Sequence, residues 1–271
     1  MPGATAPLTS PGPQPSPVPP PPGVRVPVRT RAAMLLRMLA IQGAWDYEVL
    51  LGNGLGFAME PALRLLPGGR GGPAHSAALA RQSRYFNAHP YMAALAVGAL
   101  VRAELDGEPP ARIERFRGAL CGPCGSVGDR LIWAGWLPAC SLTALICFGL
   151  GASPLVVLLT FLVLYNAGHL ALRVWGLHQG LSRGLQVAAS LGQPWLRRGP
   201  DRIGSATAAL AGLALPLVLA RLVGLEHTSL APVLVVVAMG GYLLTRVLGR
   251  VEGWRIALVA LLAFVLFSVA A

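Results

Sequence analysis

The sequence predicts an all-α polytopic membrane protein. Of its 271 residues, 54% are hydrophobic and only 12% are charged, and the mean hydropathy is +0.60. Soluble domains usually carry about 25% charged residues, so we expect much of the surface to face lipid. Long apolar runs separated by arginine-rich connections give the same indication, because runs of this kind cross bilayers as helices.

The basic residues favour a membrane over a nucleic acid as the partner of this chain. The net charge is +11, and the 22 basic residues are all arginines. They are scattered between apolar runs, whereas nucleic-acid-binding modules concentrate them in basic stripes or patches. We therefore expect a lipid bilayer, and no nucleic acid, as a partner.

The amino-terminal part divides into a tail and the start of the membrane domain. Residues 1–30 are rich in proline, which favours polyproline II or disorder and buries no core, so we expect a disordered tail there and a membrane domain over 31–271. Apolar residues at helical spacing between Arg31 and Ala44 predict an amphipathic helix at the membrane surface. A soluble core helix is the alternative.

The segments that follow are interrupted too often to be simple crossings. Helices are expected over 57–66 and 74–84, on either side of a Gly- and Pro-rich break. The apolar run from Phe86 to Leu100 contains Pro90 and falls short of the about 20 residues that a span needs. A re-entrant hairpin or a membrane segment buried in protein fits this run better.

Helix breaks and about five clearer spans complete the predicted fold. Because Gly and Pro disfavour regular helix, we expect breaks at Pro90, Gly122, Pro123, Gly125 and Gly128. The spans are expected over 131–150, 154–172, 203–220, 230–244 and 254–271. Arginines occupy alternate connections, so the positive-inside rule places the amino terminus in the cytoplasm and the carboxy terminus outside.

Polar residues in or beside apolar runs are the candidate site residues, because burying polar groups in a membrane is costly. They are Asn87, His89, Asp129, Asn166, His169 and Gln179. Asn87 and His89 precede Pro90, where freed backbone groups can bind a polyhydroxylated ligand or a helix end; capping of a hairpin is the alternative. Asn166 and His169 share one helix face with Arg173, which suits inter-helix hydrogen bonding or a functional role.

The sequence contains no recognisable catalytic arrangement. Paired carboxylates, a Ser/His/Asp set and nucleotide-binding loops are all missing. Cys121 and Cys124 form a CxxC, but a second ligand pair for zinc and a thioredoxin-like βαβ unit are missing too. We therefore expect no catalytic residue, no metal site and no cofactor. A redox or metal-binding protein built on the CxxC is an alternative.

Four blocks of sequence carry a resemblance to a known family. In chain order they are WDYE at 45–48 with LGFAMEPAL at 55–63, RYFNAHPYM at 84–92, GPCGSVGD at 122–129, and YN at 165–166 with GLHQG at 176–180. Together they resemble the IID component of the mannose/fructose/sorbose family of the phosphoenolpyruvate-dependent sugar phosphotransferase system (PTS). The resemblance covers the chain from about Arg31 onward.

This resemblance implies a helical subunit of a bacterial inner membrane permease. Such a subunit pairs with a IIC membrane subunit to translocate a hexose, which partner IIA and IIB proteins phosphorylate, and the complex is a multimer. The candidate site residues are then expected to shape the substrate path or the contact with IIC. Asp46 and Arg130 depart from the residues usual in the family, so a non-transporting regulatory or vestigial subunit that retains the fold is the alternative.

Overall fold

The computed structural model describes residues 23–223, which are mostly helical. In chain order the α-helices are α1 (Val28–Met38), α2 (Gly52–Leu63), α3 (Pro73–Gln82), α4 (Ala93–Leu105), α5 (Pro110–Gly128), α6 (Leu137–Gly149), α7 (Pro154–Arg183), α8 (Ala188–Leu191) and α9 (Pro194–Val223). A π-helical segment (Asp129–Trp136) joins α5 to α6, and a 3-10 turn (Gly184–Gln186) follows α7. Over 23–223 there is no β-strand; isolated bridges occur at Leu50.

Three helical stretches in the described range are long and apolar enough to cross a membrane. They are Pro110–Gly149, Pro154–Gln186 and Ala188–Leu222. They contain the predicted spans 131–150, 154–172 and 203–220 almost entirely. Each helical stretch is longer than the span predicted within it, because a helix can extend beyond its apolar part. The predicted spans 230–244 and 254–271 lie outside the described residues, as does the proline-rich tail up to residue 22.

The chain divides into two compact units. Within the described range, the first comprises residues 23–137 and 165–203, and the second comprises 138–164 and 204–223. In the second unit α6 and α9 approach closely at Gly149, where an added Cβ would lie 2.6 Å from the Cβ of Leu217. Arg221 fixes the same pair of helices, because its Nη1 donates a hydrogen bond to the carbonyl oxygen of Phe148 at 2.6 Å.

Helix α4 occupies the core of the first unit. Every residue of this 13-residue helix except Arg102 is buried. Glycines let α7 pack directly on it: a Cβ on Gly98 would lie 2.6 Å from the carbonyl oxygen of Leu177 and 3.0 Å from the Cα of Gly180. Since 13 residues cannot cross a bilayer, the apolar run from Phe86 to Leu100 owes its hydrophobicity to burial within the protein.

Helix α1 corresponds to the amphipathic helix predicted between Arg31 and Ala44, but it begins at Val28 and ends at Met38. Met34 and Met38 lie one turn apart and are fully buried, whereas Leu36 is 68% exposed. Arg37 joins the helix to α2 through an ion pair with Glu60, with 2.8 Å between Nη1 and Oε2. Turns follow the helix directly after Met38. The predicted location of this helix at the membrane surface stays a prediction.

The predicted helix breaks at Gly122, Pro123, Gly125 and Gly128 are wrong, because α5 runs without interruption to Gly128. Pro123 removes one backbone donor, but the neighbouring helical hydrogen bonds persist, as is common for proline in long apolar helices. The irregularity comes directly afterwards, in the π-helical segment, which ends two residues before Pro138. Pro90, in contrast, lies in the non-helical connection between α3 and α4.

Candidate functional site

A polar cleft of about 480 Å³ lies in the first unit, between the connection that precedes α4 and the helix formed by α5 and the π-helical segment. Its lining contains three of the predicted site residues, Asn87, His89 and Asp129, together with Pro90, Gly122 and Gly125. Tyr85, Ser126 and Trp133 complete the polar and aromatic part of the lining. The fold therefore brings together two of the sequence blocks, 84–92 and 122–129.

Arg117 of α5 holds the connection before α4 in place. Its Nη2 donates to the carbonyl oxygen of Gln82 at 3.1 Å and also to that of Arg84. Its guanidinium lies over the ring of Phe86, 5.5 Å from the centroid, and Phe86 itself is fully buried. Because Arg117 is buried as well, these contacts fix the backbone that presents Asn87 and His89 to the cleft.

His89 is the most buried polar residue of the cleft, with 2% of its surface exposed. Its Nδ1 accepts the backbone N–H of Tyr91 at 3.2 Å, so the neutral ring carries its proton on Nε2. That Nε2 is buried and has no hydrogen-bond partner among the described residues. Gly128 makes the packing possible, because a Cβ there would collide with the imidazole. A buried donor without an acceptor marks a site where a ligand or a structural change completes the pairing.

The surroundings of His89 favour its neutral form. Burial lowers the pKa of His89 to about 4, and the positive charge of Arg173 adds to this effect. The ring lies 4.8 Å from the ring of Trp133 and 4.9 Å from that of Tyr91, measured between centroids. At neutral pH the residue therefore acts in the cleft as an uncharged hydrogen-bond donor.

We predict that His89 makes the folded protein less stable in acid. The unfolded chain takes up a proton on His89 near its ordinary pKa, whereas the folded chain resists it until about pH 4, so the free energy of unfolding falls as pH decreases between these values. The upper limit of the loss is on the order of 3 kcal/mol. His89→Asn keeps an acceptor for the N–H of Tyr91 and cannot titrate.

Thermal unfolding of the detergent-purified protein at pH 7 and pH 4.5 measures this effect. The acid-induced decrease in melting temperature should be smaller in His89→Asn than in the unmodified protein. The control is His178→Asn, because His178 is exposed on α7 and its replacement should leave the decrease unchanged. Equal decreases in all three proteins would contradict the assignment.

A second polar cluster on α7 lies next to the cleft. Arg173 Nη1 donates to His169 Nδ1 at 2.7 Å, which places the proton of neutral His169 on Nε2, 2.9 Å from Asn166 Oδ1. Tyr91 connects this cluster with the cleft: its ring stacks on His169 with 4.8 Å between centroids, and its hydroxyl lies 2.6 Å from that of Tyr165. The guanidinium of Arg173 lies 4.3 Å from the centroid of the Tyr91 ring.

Gln179 does not join either group of polar residues. Its Oε1 accepts a hydrogen bond from Ser190 Oγ at 3.3 Å, which ties α7 to α8. The block around it serves packing, since Gly176 and Gly180 face the backbone of α4. Close helix contact through small residues four positions apart is common in membranes.

Sequence reasoning missed the aromatic members of the site. Tyr91, Trp133 and Tyr165 all lie at the cleft or at the adjoining cluster. Trp133 is 42% exposed, and its ring lies 4.8 Å from that of His89. The available signal was their position inside or directly beside the blocks 84–92, 122–129 and 165–166.

The two cysteines of the CxxC lie on α5, in the wall of the cleft or directly beside it. Over 23–223 no group of three or more His, Cys, Asp and Glu side chains is arranged to hold a metal ion. Cys121 and Cys124 are both free thiols; Cys124 is fully buried, and Cys121 Sγ donates to the carbonyl oxygen of Arg117. The cleft offers hydrogen-bonding groups and an exposed indole, which suit a polar, uncharged ligand or a polar partner surface.

The fold and the site define a class of protein: a helical membrane protein with a polar cleft beside its apolar helices. The sequence model of one family, described as "PTS system mannose/fructose/sorbose family IID component", matches residues 26–226. The chain therefore belongs to the IID components of the mannose/fructose/sorbose family of sugar phosphotransferase systems. All four sequence blocks lie within the matched range.

Individual relatives are similar over part of their length. The mannose-specific EIID component of Escherichia coli K12 is 30% identical over 172 residues, which are 61% of this chain and 59% of the relative. The fructose permease IID component of Bacillus subtilis is 28% identical over 169 residues, 59% of this chain and 58% of the relative. The matched segment thus spans less than two thirds of these relatives.

Solved structures share the fold. A chain from a cryo-EM structure of the mannose transporter ManYZ with microcin E492 aligns with a TM-score of 0.54 at 20% identity, covering 91% of this chain and 96% of that chain. A second structure, described as a membrane protein, aligns with a TM-score of 0.59 at 24% identity and covers 69% of each chain.

Proposed function

We propose that this chain is the IID subunit of a mannose-family sugar permease that pairs with a IIC subunit to translocate a hexose. Partner IIA and IIB proteins phosphorylate the sugar, and the assembly is a multimer in the bacterial inner membrane. The observation that carries the proposal is the cleft, in which residues from two family blocks converge in a chain of this family. Relatives named for mannose, fructose and sorbose support a sugar as substrate.

The proposed topology follows from the arginines. It has five spans, a cytoplasmic amino terminus, a carboxy terminus outside, and helix α1 at the cytoplasmic surface after a proline-rich tail over 1–30. Arg112, Arg115, Arg117 and Arg130 lie on the first long helical stretch. Arg183, Arg197, Arg198 and Arg202 lie around the connection between the second and the third. The positive-inside rule assigns both regions to the cytoplasm.

The cleft residues have the chemistry that a polar path requires. Asp129 is exposed in the cleft and offers carboxylate oxygens to sugar hydroxyls, while buried His89 offers an uncharged N–H. The exposed face of Trp133 offers an apolar surface of the kind on which sugar rings pack. The same groups could equally serve a contact with IIC, so the experiment has to separate transport from assembly.

The departures from the usual family residues leave the structure intact. Asp46 accepts the backbone N–H groups of Glu48 and Val49, each at 2.8 Å, as a polar residue in a turn does. Arg130 forms an ion pair with Asp201, with 3.1 Å between Nη2 and Oδ1. Because the alternative, a non-transporting subunit, also retains the fold, the uptake experiment has to separate the two.

We predict that Asp129→Ala lowers sugar uptake at least tenfold in cells that express the complete system. The reason is the loss of the cleft's carboxylate, which leaves sugar hydroxyls or a partner's donors without an acceptor. Uptake of labelled mannose, fructose and sorbose measures the first role, and co-purification of the IIC subunit measures the second. Glu114→Ala is the matched control, since Glu114 is an exposed carboxylate on α5 that pairs with Arg84 and does not line the cleft.

The combined result assigns the role. Lost uptake with retained co-purification indicates the substrate path, and loss of both indicates the contact with IIC. Normal uptake in Asp129→Ala would refute the role of Asp129 in transport. If Glu114→Ala lost as much uptake as Asp129→Ala, the effect would reflect general destabilisation.

A further inference from the structure

A second cavity, of about 380 Å³, lies in the first unit and is almost entirely apolar. Trp136, Trp175 and Trp195 form much of its wall, and Leu131 and Ile203 contribute aliphatic surface. The rings of Trp175 and Trp195 meet edge to face with 4.8 Å between centroids. The volume falls within the range of small-molecule sites. None of these residues lines the polar cleft.

The position of the cavity points to a membrane component as its occupant. The walls come from the π-helical segment, from α7 and from α9, and each belongs to one of the three helical stretches long and apolar enough to span a bilayer. Where these helices span the bilayer, an acyl chain can fill an apolar cavity between them without any cost of leaving water. A soluble apolar metabolite would first have to enter the bilayer.

Charged residues beside the cavity add a preference for an anionic headgroup. Arg198 and Arg202 are both exposed, and in α9 each directly precedes a residue that lines the cavity, Gly199 and Ile203 respectively. The acidic residue between them, Asp201, is already paired with Arg130. Basic groups beside pockets between transmembrane helices bind phospholipid headgroups.

Trp136 supplies a hydrogen-bond donor at the apolar wall. Its indole Nε1 is buried and has no hydrogen-bond partner among residues 23–223. The indole packs against Gly168, which also lines the cavity.

We propose that this cavity binds one acyl chain of an anionic phospholipid, whose phosphate is held by Arg198 and Arg202. The site would make the lipid a structural ligand of this subunit. The proposal goes beyond sugar transport and does not depend on it.

Native mass spectrometry of the purified full-length chain in detergent, with dioleoylphosphatidylglycerol or dioleoylphosphatidylcholine added, tests the proposal. Gly199→Phe fills the cavity: a Cβ at this position would lie 3.4 Å from Leu131 Cδ1, an ordinary contact, and the ring would extend into the open space. Gly204→Phe is the matched control on the same helix, because a Cβ there meets nothing within 4 Å. Melting temperatures check that both variants fold.

We expect the unmodified chain to retain phosphatidylglycerol at least tenfold better than phosphatidylcholine. Gly199→Phe should lose this retention, and Gly204→Phe should keep it. In Arg198→Gln/Arg202→Gln the preference for the anionic lipid should fall on the order of tenfold, with little change for phosphatidylcholine. This variant alters exposed residues only, so it decides the question even if Gly199→Phe does not fold.

Three results would overturn the proposal. The first is equal retention of both lipids by the unmodified chain. The second is unchanged retention of phosphatidylglycerol in the double arginine variant or in a folded Gly199→Phe. The third is loss of IIC co-purification in Gly199→Phe with lipid retention unchanged, because the cavity would then receive a protein partner.

Discussion

Replacing Glu104 with alanine is expected to lower the free energy of unfolding by about 3–5 kcal/mol, the usual cost of removing one partner of a buried ion pair. Glu104 lies on the buried helix α4, and 6% of its surface is exposed. Its two carboxylate oxygens accept from Arg81 Nε at 2.9 Å and Arg81 Nη2 at 2.8 Å. Gln82 Nε2 donates to the same carboxylate at 2.7 Å, so the substitution leaves a charge and an amide unpaired.

Thermal unfolding of the purified protein in a mild detergent measures this loss. Asp106→Ala is the control two positions further along, where the side chain is 42% exposed and pairs with Arg102. Exposed pairs of this kind contribute about 0–1 kcal/mol, so the control should unfold close to the unmodified protein. Similar melting temperatures for Glu104→Ala and Asp106→Ala would show that the buried pair does not stabilise the first unit.

The second large effect is expected from Gly180→Leu, which should destabilise the first unit by about 3 kcal/mol or more. An added Cβ at Gly180 would lie 2.6 Å from the backbone nitrogen of Ala99 and 2.8 Å from the carbonyl carbon of Gly98. Backbone atoms cannot rotate away as a side chain does, so α7 has to separate from α4. Tyr165 and His169 would then move away from Tyr91.

Gly118→Leu is the control for this experiment. Gly118 is exposed on α5, and an added Cβ there meets nothing within 4 Å. Replacing a helical glycine at an open position should stabilise the helix by up to about 1 kcal/mol. Expression level and melting temperature compare the two variants, and a Gly180→Leu protein as stable as Gly118→Leu would disprove the close α4–α7 contact.

Helix α4 shows what apolar sequence can and cannot predict. The run from Phe86 to Leu100 was too short for a span, so its length indicated an unusual segment. Its composition could not say whether lipid or protein covers it, because both are apolar. Gly98, Gly176 and Gly180 show that protein covers this helix, because they allow α7 to pack directly on α4. The sequence alone does not show which helices these glycines bring together.

The sequence singled out residues that the fold places together, but it misjudged the backbone around them, and the role of these residues stays a prediction. Asn87, His89 and Asp129 were selected because polar residues beside apolar runs are costly, and they line one cleft. The prediction of helix breaks was wrong because glycine and proline only lower the local preference for helix. The hydrogen bonds of the neighbouring residues keep α5 helical through these positions. Gln179 met the same polar criterion but pairs with Ser190, a partner that sequence spacing does not reveal.

The π-helical segment Asp129–Trp136 has two different neighbours on its two sides. Asp129 and Trp133 line the polar cleft, while Leu131, Ile132 and Trp136 line the apolar cavity. If a ligand in the apolar cavity favoured one arrangement of this eight-residue segment, the affinity of the polar cleft for its own ligand would change by the same factor, because coupling between two binding sites is reciprocal.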